Sequence, residues 1–412
     1  MPGQLNGVLE SMRPVLLSLM GLAALAFIWL AFLPSALGNG EARRARLLLV
    51  GDIFPCPVIV LCESDPLYDY TPIQTREIPS TEAQRYIRLY FPRTRDELYG
   101  FASLFFVDAD MDPFTGQQVA AMLDSVAKGH SGTFWTFGPH YSSVVACMLE
   151  AVVPHEMSHE FKQWSWGNDF YTVTFRRNLP PVFTSFIDLG LEKVRAYGCG
   201  QTVPRPGSTI WGDLVPFGWP WMTSWRYGGN GGVCWVAADD LDHPWWSGET
   251  YGFCENKYAI DVLANIITYT VGGKLPDDVL VPIRIRREFL DYRSRKSLFM
   301  SIVEFVEKFG ADAGSLYEEF SRVDVDIVAQ AKASYVEGDY DQALAGIRQG
   351  NEEVKVLCDK ALEARERALL WIFTAEWLAV SGTSMFAGFM VWTLMVRRRL
   401  YREVTTTRLL AR

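Results

Sequence analysis

The chain reads as an α/β protein: a doubly wound, mostly parallel sheet joined to a helical stalk, with a transmembrane helix near each end. Three observations predict this. Short apolar runs end in glycine or aspartate, as buried parallel strands do. A segment of helical period separates two of those runs, which makes a crossover unit. Two apolar stretches toward the ends of the 412-residue chain are each long enough to cross a bilayer.

In chain order, residues 1–13 form a short tail, and 14–37 form an uncharged apolar run, PVLLSLMGLAALAFIWLAFLPSAL. The run suits an uncleaved anchor; a signal peptide is the alternative, because small residues near Ala36 could be cut. An α/β domain is expected over 43–275. Its strands are RLLLVGD from Arg46, LFFVD from Leu104, GTFWTFG from Gly132 and GVCWVAA from Gly232. Between the second and third, Asp112 to Gly129 has Val119, Met122, Leu123 and Val126 on one helical face. Lys257 to Val271 reads as a later helix.

A helical extension follows over 276–325, then a helical hairpin stalk over 326–367, turning at Gly338-Asp339. Residues 368–396 form the second apolar run, with one acid, Glu376. A basic tail, 397–412, begins with Arg397, Arg398 and Arg399. Arginines against a helix end favour the cytoplasmic side. With two spans, both termini then lie inside and the central domain lies outside the cytoplasm.

The net charge of −9 argues against a nucleic-acid partner. The densest basic stretch, Arg284, Arg286, Arg287, Arg293, Arg295 and Lys296, reads as a solvated helix face. The 14 Trp and 17 Tyr suit pockets, interfaces and membrane borders. Seven cysteines without a C-x-x-C pair make a zinc ribbon unlike this chain, and Cys234 with Cys254 could bridge in an oxidising compartment.

In open α/β sheets, ligands bind beyond the carboxyl ends of the strands. The candidate crevice is therefore Asp108, Asp110, His140, Tyr141, Asp240 and His243, with Trp245 as a further wall. The alternative is that these are turn and cap residues. Asp108, Asp110 and Asp112 do not make an EF-hand, because Pro113 and Val119 stand where glycine and an acid are required. His155-Glu156-Met157-Ser158-His159 spells H-E-x-x-H. On a helix both histidines could ligate zinc, with Glu156 as base and Glu192 as the nearest third ligand.

The order RLLLVGD, LFFVDAD, helix, GTFWTFG and MLEAVVPHEM resembles the class I glutamine amidotransferase-like domain, in its membrane-anchored, archaeal-type form. VPRPGSTIWG, SWRYGGNGGVCWVAADD and the Asn265-containing helix continue the resemblance, which covers Arg43 to Leu275. It implies a flavodoxin-like fold. It also implies a catalytically degenerate protein. Where such an enzyme needs an elbow cysteine, this chain has Pro139, His140 and Tyr141, and Cys147 lies further along. The leading expectation is a non-catalytic binding or assembly module of a cell-envelope system, without a cofactor. Its partners would be the lipid bilayer and other envelope or membrane proteins, or itself. The alternatives are a membrane-bound zinc metallopeptidase and an active hydrolase of the amidotransferase superfamily.

Overall fold

A computed structural model describes residues 44–53, 56–136, 143–144, 147–156, 164–191, 196–241, 245–246, 256–309 and 312–409. Of 164–170, 196–197 and 402–409, only the backbone is described. The expected first span, 14–37, lies outside these residues.

The strands are β1 (Ala45–Gly51), β2 (Tyr68–Gln74), β3 (Ser103–Val107), β4 (Gly132–Thr136), β5 (Trp164–Phe175), β6 (Ala196–Gly200), β7 (Thr209–Val215), β8 (Trp219–Arg226) and β9 (Val233–Ala237). The helices are α1 (Pro57–Ser64), α2 (Ser80–Tyr90), α3 (Arg95–Tyr99), α4 (Gly116–Ala127), α5 (Ala259–Thr270), α6 (Leu280–Lys308), α7 (Gly314–Arg322), α8 (Ala329–Glu337) and α9 (Tyr340–Leu409). The strands form one sheet in the order β2-β1-β3-β4-β9-β8-β7-β5-β6. From β2 to β9 the pairings are parallel, and from β9 to β6 they are antiparallel.

The parallel half follows from its apolar runs. Alternate side chains of each strand enter two separate cores. Leu47, Leu49, Phe105 and Phe134 pack with Val58 and Leu61 of α1 and Val262 and Ile266 of α5. Leu48, Val50, Phe106 and Trp135 pack with Ile87 of α2 and Met122 and Val126 of α4 on the other face. Helices therefore cover both faces, and the α/β expectation holds. Thr115 starts α4 with a reciprocal cap: Gln118 N–H donates to Thr115 Oγ1, and Thr115 N–H donates to Gln118 Oε1 at 2.9 Å.

The antiparallel half is filled with aromatic rings. Trp211, Trp221, Trp235, Trp245 and Trp246 are buried with Phe175 and Phe183. Trp221 lies 4.4 Å from Trp245 and 5.6 Å from Trp246, centroid to centroid. Much of the tryptophan read as pocket or membrane-border material is core. Trp245, expected to wall the crevice, belongs to this core. Cys234 is buried with a free thiol, and its expected partner Cys254 lies outside the described residues.

A third core joins α6, α7, a π-helical turn at Val323–Val328, α8 and the first part of α9. The stalk is thus a packed bundle, with Gly338 at φ 85 turning α8 into α9. It docks on the sheet domain through a buried ion network. Arg286 Nε donates to Asp65 Oδ2 at 2.7 Å, Arg286 Nη1 binds Asp261 Oδ1, and Tyr335 Oη donates to Asp65 Oδ2 at 2.9 Å. Arg286 is 5% exposed, which corrects its place on a solvated face. Ile285 and Phe289, one residue before it and three after it on α6, are buried in the bundle core.

Two expected outcomes follow. Arg286→Met leaves Asp65 and Asp261 buried without their cation and should cost roughly 3–5 kcal/mol in denaturant unfolding. Gly51→Ala should cost about 2–4 kcal/mol, because φ there is 118 and an added Cβ would lie 2.0 Å from Val107 O. Unchanged midpoints in either variant would contradict the placement.

Candidate functional site

The parallel strands deliver their polar ends to one edge. Asp52 follows β1, Arg76 follows β2, Asp108 follows β3, Thr136 ends β4, and Asp239 and Asp240 lie beyond β9. Arg76 Nη1 lies 2.7 Å from Asp108, 3.5 Å from Asp52 and 3.7 Å from Asp240. The Asp108 carboxylate is fully enclosed, so solvent screens this contact little. Thr136 Oγ1 donates to Asp240 Oδ1 at 2.6 Å, and Asp108 N–H donates to Thr136 Oγ1 at 3.2 Å. Gln74 completes the frame, donating to Asp52 Oδ1 and to the Arg76 carbonyl.

Among the described residues, two non-glycine positions have positive φ: Glu77 at 59 and Asp108 at 39. One follows Arg76 directly and the other is its nearest carboxylate. Such backbone strain persists where the surrounding structure holds it, and it gathers at binding and catalytic sites.

The structure therefore brings Asp108 and Asp240 together, as the strand-end argument expected. Asp110 stands apart from the ion cluster: its N–H donates to Thr75 Oγ1, and its carboxylate accepts the Asp112 N–H. His140, Tyr141 and His243 lie outside the described residues. Asp239 turns the other way, accepting from Trp246 Nε1 at 2.8 Å and from the Tyr171 hydroxyl inside the aromatic core.

Sequence reasoning missed Arg76 and Asp52 as site residues. Asp52 was in view as the end of RLLLVGD, but Arg76 lies two residues beyond a strand whose polar sequence, YDYTPIQ, carries no apolar run. It also missed Cys56, which precedes α1 in the β1–α1 turn. Burial above all, with Asp240 and Asp52 adding repulsion, pushes this thiol up to about 12. Burial also raises Cys147, so both are neutral thiols near pH 7 rather than ready nucleophiles.

The zinc motif does not begin on a helix. His155 forms an antiparallel bridge with Pro204, and Glu156 N–H donates to Val203 O, so the backbone there is extended. His155 Nε2 shares a 2.6 Å hydrogen bond with Thr223 Oγ1, which occupies a nitrogen a metal would need. Glu156 is exposed, while His159 and Glu192 lie outside the described residues. Among the described residues, no group of three or more His, Cys, Asp or Glu side chains could hold a metal.

No family model matches the chain, and no curated protein matches it. Solved structures similar to it include two from Salmonella typhimurium. The cytoplasmic protein STM1381 from Salmonella typhimurium LT2 is 16% identical, with a TM-score of 0.37; the match covers 55% of this chain and 99% of that one. The cytoplasmic protein STM3548 from Salmonella typhimurium is 15% identical, with a TM-score of 0.41, covering 54% and 98%. The expected two-pass placement, with the central domain outside the cytoplasm, is corrected. Among the described residues one helix, not two, is long and apolar enough to cross a membrane.

Burial, with some repulsion from Arg205, lowers His155 from 6.5 to about 3. Its folded value lies below its unfolded one, so its contribution is complete above pH 6.5 and is lost as pH falls toward 3. Stability should fall by about 1.4 kcal/mol per pH unit across that window from this group. His155→Gln should flatten the acid limb of a melting-temperature profile. An equally steep limb in the variant would contradict this role.

Proposed function

We propose that the chain is a membrane-tethered, non-catalytic binding or assembly module built on an amidotransferase-like α/β domain. The observation that carries the reading is the strained, self-paired cluster at the strand ends. Glu77 and Asp108 hold costly backbone conformations around Arg76, which is how a recognition site is kept in shape. The cluster occupies the edge where α/β sheets take ligands. Its acids are already engaged by Arg76 and Thr136, which suits polar recognition more than proton transfer. A ligand there would compete with the guanidinium for Asp52, Asp108 and Asp240. The neutral thiols of Cys56 and Cys147 support the non-catalytic part.

The tether is the second half of α9. From Trp371 to Val396 its large apolar side chains are exposed, including Trp371 at 75% and Trp377 at 74%. A continuous apolar surface of this length fits a bilayer far better than water. Arg397, Arg398 and Arg399 at its end suit lipid headgroups.

Both parts are testable. Purified full-length protein should release no ammonia from glutamine. Glutaminase activity abolished by Cys56→Ser or Cys147→Ala would refute the non-catalytic reading. For the tether, a chain lacking residues 1–43 should stay with membranes through alkaline carbonate extraction, and one also lacking 368–412 should be released. Extraction of the first would remove the tether.

A further inference from the structure

A polar cavity of about 420 Å3 lies at the opposite end of the parallel strands from Arg76. It sits where the sheet domain meets the helical bundle, at the starts of β1 and β2 and against α6, the π-helical turn and α8. That volume is within the range of small-molecule sites, roughly 300–1,000 Å3. Four cationic side chains line it: Arg44, Arg293, Lys296 and Lys332.

Two of the four are already matched. Arg293 pairs with Glu63, and Lys296 Nζ lies 2.8 Å from Asp324, which also accepts the Tyr292 hydroxyl. Arg44 and Lys332 make no hydrogen bond or ion pair among the described residues, although both line the same space. The other lining acid, Asp69, is exposed and accepts the Tyr70 N–H. Lys332 is half-buried, and its ammonium is held below the usual lysine range by burial; Asp324 opposes this, and Lys296 and Arg44 add to it by repulsion. A chain that gathers like charges in a half-enclosed space does so at a cost that an anion removes.

We propose that this cavity binds a small soluble molecule through a phosphate group. Two unmatched cations from separate elements suit a phosphate monoester, whose charge near pH 7 approaches −2 and whose oxygens can accept from both. Tyr292 and Phe289 give the remainder of the ligand an apolar wall. A lipid phosphate does not fit the geometry. Gly350 of α9 lies against Tyr292, and at 1.5 Å per residue Ala368, where the apolar run begins, is roughly 27 Å further along the helix. Because the cavity is lined from both the sheet and the helical bundle, its ligand would also strengthen their docking. The inference is independent of the amidotransferase-like reading.

The test uses the full chain in detergent, with glycerol 3-phosphate and inorganic phosphate as probes, titrated calorimetrically at constant ionic strength held by chloride. Saturable binding is expected for both. Lys332→Gln and Arg44→Gln should each weaken it about tenfold or more, and Lys332→Arg should keep it. Without phosphate, Lys332→Gln should melt no lower than the parent, since among the described residues its ammonium makes no hydrogen bond or ion pair, and burial with repulsion from Lys296 and Arg44 outweighs the attraction of Asp324. No saturable binding, or binding unchanged by Lys332→Gln, would overturn the proposal. So would binding seen only when the phosphate is presented as phosphatidic acid in vesicles.

Discussion

The ion network around Arg286 ties the molecule together. The two cores of the sheet and the core of the helical bundle are separate hydrophobic clusters. Apolar contact between them is narrow: Leu67 touches both sides, and Ile283 reaches back from α6. Burial of apolar area is non-directional and would allow many docking angles. A buried guanidinium allows few, because Asp65 and Asp261 must both arrive for its charge to be answered, and Tyr335 of the bundle must reach Asp65 to donate to it. Burial raises the Asp261 carboxyl while Arg286 opposes it, so the network balances desolvation against pairing. Its contribution is orientation more than strength.

That orientation sets the places where polar groups can gather. β1 and β2 run between two charged sites, one at each end. At their carboxyl ends Arg76 is surrounded by acids; at their amino ends cations outnumber acids. The first site belongs to the sheet alone. The second exists only because α6 and α8 are held over the strand starts, so it depends on Arg286 although it does not contain it.

The parallel half was legible because its strands are continuous apolar runs bounded by glycine and aspartate, and a run buried on both faces needs no alternation to be recognised. Helix α4 was legible through its period. The antiparallel half was not, because β5, β7 and β8 interleave tryptophan with glycine, proline and polar residues, and their burial depends on rings from other strands. Strand β2 was hidden for a related reason: YDYTPIQ lies at the sheet edge with one buried isoleucine. Of the crevice, Asp108 and Asp240 were found because strand direction alone brings them together. Arg76 was hidden because its strand was. The H-E-x-x-H spacing misled because it carries chemistry only on a helix, and the partner that makes His155 extended, Pro204, is distant in sequence. Arg286 misled because charge spacing does not report which face of a helix is covered.

Helix α9 runs without interruption from Tyr340 to Leu409, about 105 Å. Its first third is clamped to α6, where Arg348 binds Glu288 and Asn351 caps the Glu288 carbonyl. Its apolar part continues the same rod. With that part embedded as proposed, no swivel separates bilayer from domain. Tilting the rod by a few degrees in the lipid would swing the whole α/β body through an arc, and rotating it about its axis would turn the Arg76 crevice to a new bearing. The protein would behave as a weathervane fixed to its shaft, reporting the posture of its membrane segment rather than drifting on a leash.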